Sequence, residues 1–252
     1  MQITFLGTGT STGVPILACN CNICKSNDSR DKRLRSSIYI EYKNTKMLVD
    51  CGPDFRYQML KHDITNLDGI ILTHAHRDHI GGLDDVRPLN FLLHKPVELY
   101  GLPQTLKDVQ KQYAYFFIKG AYWGAPEINL HQVVGNFKIG DVDIIPILVK
   151  HGDMDVMGIR IGDFTYITDA GSICDEELEK IKGSKVFVIN ALRREKHPSH
   201  LSLSEAIHIL EKIKPQKAYL THIGHNLGLY EDLEKELPQW IQPAYDDLTI
   251  TL

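Results

Sequence analysis

Four side chains that commonly bind metal ions fall within six consecutive residues: His74, His76, Asp78 and His79. The apolar run Gly69–Leu72, enriched in β-branched residues, comes just before them and predicts a buried strand. On an extended backbone the first two histidines would point to the same side. The adjacent Asp and His cannot share a direction on a strand, so they favour a turn that begins a helix. Ligands at a strand end and at a helix start can hold two metal ions about 3.5–4 Å apart, as in two-metal hydrolytic sites.

The pattern His-x-His-x-Asp-His after a strand resembles the signature of the metallo-β-lactamase superfamily. That family takes three further ligands downstream, a His, an Asp and a last His, each at the end of a strand. This sequence offers three such residues after β-rich runs, in the same order: His151, Asp169 and His222. A histidine-rich surface loop, the alternative interpretation, does not account for these later residues.

The resemblance implies two ion positions that share one carboxylate. One ion would be bound by His74, His76, His151 and Asp169. The other would be bound by Asp78, His79, His222 and the same Asp169. Two divalent ions lower the pKa of water toward about 7, which supplies a metal-bridging hydroxide as nucleophile, and Asp78 is expected to orient it as a catalytic residue. Imidazole and carboxylate ligands suit several ions, so zinc and manganese both remain open.

Three cysteines near the start of the chain form a second candidate metal site: Cys19, Cys21 and Cys24. A structural zinc takes four tetrahedral ligands, so one more is needed. His225 is the predicted fourth ligand, because it follows His222 by three residues and can point away from the active site. The arrangement resembles the PhnP-like phosphoribosyl cyclic phosphate phosphodiesterases, in which a Cys-x-Cys-x-x-Cys run and a late His bind zinc. The alternative is a set of three solvent-facing thiols.

A histidine just before a predicted helix is the candidate for proton transfer. His200 precedes the helix that begins at Ser202. Phosphodiesterase branches of the superfamily place a His here as general acid or transition-state stabiliser, and such catalysis contributes about 10²–10⁴-fold. His197 is a local competitor, and a surface-loop histidine is the alternative. Three nearby cations are either phosphate contacts or solvated charges: Arg193, Arg194 and Lys196.

Composition narrows the remaining classes of function. The 252 residues carry a formal net charge of −4, which gives no general reason to bind polyanions. The sequence contains no apolar run near the length of a membrane span, and its first residues lack the features of a signal peptide. Three of the five cysteines are crowded together, which fits metal binding in a reducing cytoplasm better than a disulfide framework. We therefore expect a cytoplasmic protein with no stable nucleic-acid partner and no membrane contact, whereas the small phosphodiester substrate is what the resemblance implies.

Strand and helix patterns alternate along the chain. Strands are predicted at Met1–Leu6, Ser37–Tyr42, Lys46–Asp50, Gly69–Thr73, Val97–Tyr100, Val142–Lys150, Met157–Ile161, Phe164–Thr168, Val186–Asn190, Lys217–Thr221 and Leu248–Leu252. Helices are predicted at Asp54–His62, Pro103–Tyr113, Asp175–Lys182 and Tyr230–Glu236, and the clearest one begins at Ser202. Pro53 is expected to open the first helix, and Ser202 with Glu205 forms a capping-box pair. The mixture predicts layered sheets with helices outside. The resemblance specifies an α/β fold, the four-layer αββα sandwich, with residues 1–252 as a single hydrolase domain.

A glycine-rich loop, Gly7–Pro15, follows the first predicted strand. Its third glycine is one position late for a dinucleotide fingerprint and no helix pattern follows, which argues against a nucleotide cofactor. Two interpretations remain: a tight turn that needs positive φ, or a loop beside the active site, as in phosphodiesterase branches of the superfamily.

The sequence favours a metal-dependent phosphodiesterase that acts on a ribosyl cyclic phosphate or a cyclic nucleotide. The first alternative is a tRNA 3′-processing endonuclease of the ribonuclease Z family. Those enzymes use a basic protruding arm, whereas the aromatic stretch Tyr113–Trp123 looks more like a cap or a homodimer contact. Further alternatives are a thioester or lactam hydrolase and a non-catalytic metal-binding protein.

Overall fold

The structure, a computed structural model, describes residues 1–118 and 124–252. Its described residues form two seven-stranded sheets, with strands numbered along the chain. The first sheet contains β1 (Gln2–Gly7), β2 (Ser37–Tyr42), β3 (Thr45–Val49), β4 (Gly69–Ile71), β5 (Val97–Gly101), β6 (Ile128–Gln132) and β14 (Thr249–Thr251). The second contains β7 (Phe137–Ile139), β8 (Val142–His151), β9 (Met154–Ile161), β10 (Phe164–Tyr166), β11 (Val186–Asn190), β12 (Lys217–Thr221) and β13 (Ile241–Pro243).

Neighbouring strands follow one another along the chain in both sheets, except that β14 pairs with β1 at the edge of the first. The first sheet runs β14-β1-β2-β3-β4-β5-β6 and the second runs β13-β12-β11-β10-β9-β8-β7. The pairs β3–β4 and β4–β5 are parallel, as are β10–β11 and β11–β12. Parallel neighbours end at the same edge of a sheet, so the loops after these strands can place side chains together. This arrangement is what allows residues far apart in the sequence to share one site.

Helices cover the outer face of each sheet. They are α1 (Phe55–Lys61), α2 (Arg77–Ile80), α3 (Arg87–Leu93), α4 (Pro103–Gln112), α5 (Asp175–Ile181), α6 (Leu203–Ile213) and α7 (Tyr230–Glu236). One outer core packs Leu106 and Val109 of α4 against the first sheet, and another packs Leu210 of α6 against the second. The inner core contains Ile3 and Phe164, one from each sheet. The predicted αββα sandwich is therefore confirmed.

The strands that the sequence analysis did not predict are short or partly exposed. Strand β6 is a partly exposed edge strand, β7 has three residues and β13 contains Pro243, which breaks the strand signal. Helix α3 was not predicted. The prediction that Pro53 opens α1 is wrong, because the helix begins at Phe55 with Asp54 at the N-cap. The stretch Tyr113–Trp123 is described only as far as Ile118, so its last five residues lie outside the described part of the chain.

Within residues 1–118 and 124–252, the helices are all too short or too polar to cross a lipid bilayer.

The predicted capping box of α6 is present. The Glu205 N–H donates to Ser202 Oγ at 3.4 Å, and the Ser202 N–H donates to Glu205 Oε2 at 2.9 Å. These bonds satisfy backbone groups that the helix leaves unpaired at its start. They also fix the chain just after His200.

We expect Ser202→Ala to lower the free energy of unfolding by about 1 kcal/mol, because the N-cap acceptor is lost. Denaturant unfolding of the purified protein measures this. Ser172→Ala, which replaces an exposed serine outside the helix, is the control and should cause no such loss. Equal stability of the two variants would contradict the capping role.

Candidate metal centre

The predicted ligands converge where the strands of both sheets end. The first two histidines follow β4, His151 is the last residue of β8, Asp169 lies three residues after β10, and His222 directly follows β12. The imidazole centroids of His76 and His151 are 5.1 Å apart, and those of His79 and His222 are 5.6 Å apart. Side chains separated by more than a hundred residues in sequence thus face one small volume.

Two compact groups of potential ligand atoms share Asp169. In each group, all the ligand atoms lie within 4.8 Å of one another. The first group is Asp78, His79, Asp169 and His222. The second is His151, Asp169 and His200. The sequence analysis predicted that His74 and His76, and not His200, would bind the same ion as His151. The ring centroids of His74 and His76 lie 5.7 Å and 5.1 Å from that of His151, so both rings are next to this second group.

Several buried ring nitrogens at this place lack a hydrogen-bond partner among the described residues. They are His74 Nε2, His79 Nε2 and His200 Nδ1. Leaving a buried polar atom unpaired costs about 1–3 kcal/mol. Imidazole and carboxylate groups that face one another are the donor set of several divalent cations. The residues present therefore fit the metal ions that the fold implies.

Asp50 is a functional residue that sequence reasoning missed. The His79 Nδ1–H donates to Asp50 Oδ2 at 2.6 Å, and the Thr73 N–H donates to Asp50 Oδ1 at 2.8 Å. On the other side of the centre, His151 Nδ1–H donates to the Ser199 carbonyl at 2.8 Å. Such contacts fix the ring orientation and leave Nε2 free for a metal ion. The only signal in the sequence was an aspartate placed directly after a buried strand.

Three residues of the centre adopt the left-handed backbone conformation. The φ angles are 64° at Asp50, 57° at Asp169 and 53° at His222. Non-glycine residues hold this conformation at a cost of about 1–3 kcal/mol each, and such residues cluster at functional sites. Gly52 is required for a related reason, because a Cβ there would lie 2.1 Å from the Asp78 carbonyl oxygen. The loops at this edge are therefore tightly constrained.

Burial and neighbouring charges set the protonation of the centre. Burial lowers the pKa of His74 well below its ordinary value and also lowers that of His222. Burial opposes ionisation of Asp169, but the neighbouring His222 and His79 rings outweigh it and hold the pKa of that carboxyl well below its usual range. Burial opposes the charged form of His79, but the Asp169 and Asp50 carboxylates outweigh it and hold the pKa of this ring well above its ordinary value. Neutral imidazoles and ionised carboxylates are the forms that bind metal ions, so metal binding would release a proton from His79. Burial also lowers the pKa of His200 to about 3, so this ring is neutral at pH 7.

The cysteine run and His225 lie together, close to the centre. The distances from His225 Nδ1 are 3.3 Å to Cys19 Sγ, 3.4 Å to Cys21 Sγ and 3.6 Å to Cys24 Sγ. A hydrogen bond from the Cys24 N–H is the largest effect on the Cys21 thiol and lowers its pKa to about 6, while burial raises that of Cys24 to about 11. All four residues of the predicted second metal site thus meet at one point.

The glycine-rich loop lies beside the centre, as one of the two interpretations expected. Thr10 Oγ1 is 3.2 Å from His222 Nε2, and the Thr10 N–H donates to the Ile223 carbonyl. The tight-turn interpretation also holds at Gly13, where φ is +65°. The loop therefore contacts the residue that separates the two candidate metal sites.

The cations near His200 differ in their surroundings. Arg194 forms a salt bridge with Glu236 at 2.6 Å and donates to the Leu227 carbonyl. The Arg193 guanidinium donates to the carbonyls of Glu195 and Lys196 within its own loop. Both arginines therefore stabilise the loop. His197 lies with its ring centroid 5.1 Å from that of His200.

We expect Asp50→Asn to weaken metal binding by about 10–100-fold, the usual effect of losing a contact that orients a metal-binding histidine. In either orientation of the amide, its NH₂ group faces the Thr73 N–H or the His79 Nδ1–H. Two donors then face each other, and one of the two hydrogen bonds is lost. A metal titration of the apoprotein measures this. Asp68→Asn removes a carboxylate that accepts the Lys46 N–H far from the centre, and it should leave the affinity unchanged. Equal affinities of the two variants would rule out the role of Asp50.

Comparison with known proteins agrees with this geometry. Residues 45–223 match the sequence profile of the beta-lactamase superfamily domain. A new diphosphatase from the PhnP family, known from a crystal structure, shares 37% sequence identity with this chain. The two structures superpose with a TM-score of 0.93, and the alignment covers 100% of this chain and 97% of that one. An octanoyltransferase of Porphyromonas gingivalis is 37% identical over 252 residues, or 98% of this chain, which spans only about half (51%) of that protein. A ribonuclease Z of Crocosphaera subtropica is 34% identical over 124 residues, 46% of this chain and 35% of that protein.

The profile covers most of the chain, and the likeness to the diphosphatase extends over all of it. The resemblance predicted from the His-x-His-x-Asp-His pattern is confirmed. This chain belongs to the metallo-β-lactamase superfamily, near its PhnP branch.

Proposed function

We propose that this chain is a phosphodiesterase that cleaves a small phosphodiester of the ribosyl cyclic phosphate or cyclic nucleotide type. The observation that carries the proposal is the position of His200. Its ring centroid lies 4.5 Å from that of His151 and 5.0 Å from that of His222, so it contacts a candidate ligand from each of the two groups. The side chain is 11% exposed, and its Nδ1 lies 3.7 Å from Asp169 Oδ1, so the ring lies within the centre and still reaches the surface.

The resemblance gives two ion positions that share Asp169, and one of them matches the group of Asp78, His79, Asp169 and His222. One ion, zinc or manganese, would be held by His74, His76, His151 and Asp169. The other would be held by Asp78, His79, His222 and Asp169. Bound there, the ions would lower the pKa of water toward about 7 and neutralise charge on phosphate oxygens.

The residues of the chain supply positioning and hydrogen bonds for the reaction. The Asp78 carboxylate lies with its Oδ2 3.1 Å from His79 Nε2, where it can orient the attacking water. The neutral His200 ring can donate a hydrogen bond to an oxygen of the phosphate or of the leaving group. Its loop is fixed before the reaction, because the Leu201 N–H donates to the Ala170 carbonyl at 2.7 Å. Preorganised donors of this kind stabilise charge that develops in the transition state.

We expect His200→Ala to lower kcat on a phosphodiester by about 10²–10⁴-fold while the bound metal content stays the same. Steady-state kinetics with bis-p-nitrophenyl phosphate and elemental analysis of the same preparation give both values. His208→Ala, an exposed histidine on α6, is the matched control and should retain full turnover. Full activity of the His200 variant would refute its assignment.

Acyl thioester hydrolysis is the second candidate function. It is favoured by the 37% identity to a protein named octanoyltransferase, although 49% of that protein lies outside the match. The wild-type protein should therefore be assayed in parallel on bis-p-nitrophenyl phosphate, a ribosyl cyclic phosphate, precursor tRNA and an octanoyl thioester. We expect the highest kcat/KM on a small phosphodiester. Preferential turnover of the thioester or of the tRNA would replace the proposal.

The cluster of Cys19, Cys21, Cys24 and His225 is proposed to bind one structural zinc ion. Three sulfurs and one imidazole nitrogen are a usual ligand set for such an ion. The cluster would hold the N-terminal loop against the segment that follows β12.

We expect the triple alanine variant of these cysteines to lose one tightly bound zinc per chain, because the three thiolate ligands are removed. Elemental analysis after dialysis measures this loss. Cys174→Ala, which replaces an exposed free cysteine, should keep the full metal content. An unchanged zinc content in the triple variant would exclude the second site.

A further inference from the structure

A cavity of about 430 Å³ adjoins the metal centre. Ala75, which lies between the first two histidines of the metal-binding pattern, forms part of its wall. Met154 forms another part, and this residue is the register partner of His151 across the turn between β8 and β9. The start of α4 lines it as well, through Gln104 and Thr105. A group attached to a phosphate at the metal centre can therefore reach into this cavity.

The lining of the cavity combines apolar surface with carboxylates. Leu102, Leu148 and Met154 provide the apolar part. The carboxylates come from Asp108, which accepts from Gln104, from Asp153, and from Asp155, which pairs with Lys150. The first turn of α4 adds backbone N–H groups that have no partner within the helix. Within the described part of the chain, the residues that line the cavity include neither lysine nor arginine. The cavity therefore offers hydrogen-bond acceptors and donors beside an apolar surface.

This combination distinguishes between possible occupants. A second phosphate group would meet three carboxylates in this cavity, whereas the Lys196 cation lies in the loop that carries His200. An acyl chain would cover the carboxylates without pairing them, which is costly. A nucleobase has flat apolar faces together with N–H donors and ring acceptors. The volume also lies in the range of about 300–1,000 Å³ that is usual for small-molecule sites.

We propose that this cavity binds the nucleobase of a nucleotide-type phosphodiester, with an exocyclic amino group donating to Asp108 or Asp153. The inference rests on the proposed phosphodiesterase function and specifies its substrate class. It also orients the substrate, with the phosphate toward His200 and the base toward α4.

Two measurements on the metal-loaded protein test the subsite. The first is an NMR titration with adenosine, which carries an amino group, and with purine riboside, which lacks it. The second is kcat/KM on 2′,3′-cyclic AMP and on bis-p-nitrophenyl phosphate. Both compare the wild type with Asp108→Ala/Asp153→Ala. The control is Asp143→Ala/Asp163→Ala, which removes two aspartates that pair with lysines away from the cavity.

We expect the Asp108/Asp153 variant to bind adenosine about tenfold more weakly, since hydrogen bonds to charged groups are lost. Purine riboside should bind both proteins equally. The kcat/KM on cyclic AMP should fall by a similar factor through KM, with no change on bis-p-nitrophenyl phosphate. The control variant should match the wild type in every measurement.

The subsite is rejected if adenosine does not bind the wild type, if it binds both aspartate variants equally, or if octanoate competes for the same residues. Failure of the phosphodiesterase proposal gives a different result, namely no wild-type turnover of either diester. In that case the adenosine titration still decides the nucleobase subsite, because it requires no catalysis.

Discussion

Burial of charge at one edge of the two sheets is the constraint on which the rest of the structure depends. Asp50 is fully buried, and Asp169 is 2% exposed. An ionised carboxylate in such a place is costly unless charged or hydrogen-bonding partners surround it. His79 and Thr73 donate to Asp50 and reduce this cost, although burial still raises the pKa of the carboxyl above its ordinary value. Asp169 lies between imidazoles whose unpaired nitrogens suit metal ions. The arrangement is thus stable as a network, and metal binding completes it.

The sheet topology explains how such a network can be assembled. Strands β10, β11 and β12 run parallel, so their carboxyl ends share an edge. Directly beyond strand ends, Asp50 and His222 turn into the left-handed conformation, and Asp169 does so three residues after its strand. This turn directs the side chain back over the edge instead of along the strand. The helices contribute less to the chemistry than to holding these loops, as the capped start of α6 does for His200.

Much of this could be predicted from the sequence, because the information was local. The pattern from His74 to His79 identifies the centre without any tertiary contact, and the capping box follows from Ser202 and Glu205 alone. Asp50 was missed because its role depends on a partner almost thirty residues away, and an aspartate after a strand has many possible roles. The edge strand β13 was missed because its residues give no periodic signal and its pairing is decided by β12. The position of His200 beside His151 also depended on topology, which the resemblance supplied and periodicity did not.

The cysteine cluster has a consequence for the chemical sensitivity of the enzyme. The thiol of Cys21, whose pKa is lowered to about 6 chiefly by a hydrogen bond from the Cys24 N–H, is largely a thiolate at neutral pH whenever no metal covers it. Thiolates are the form that peroxide oxidises. The Ile16 N–H donates to Cys24 Sγ, and Thr10 of the same segment contacts His222. Oxidation of these thiols would therefore disturb the segment that contacts His222, although the predicted ligands of the centre include no sulfur.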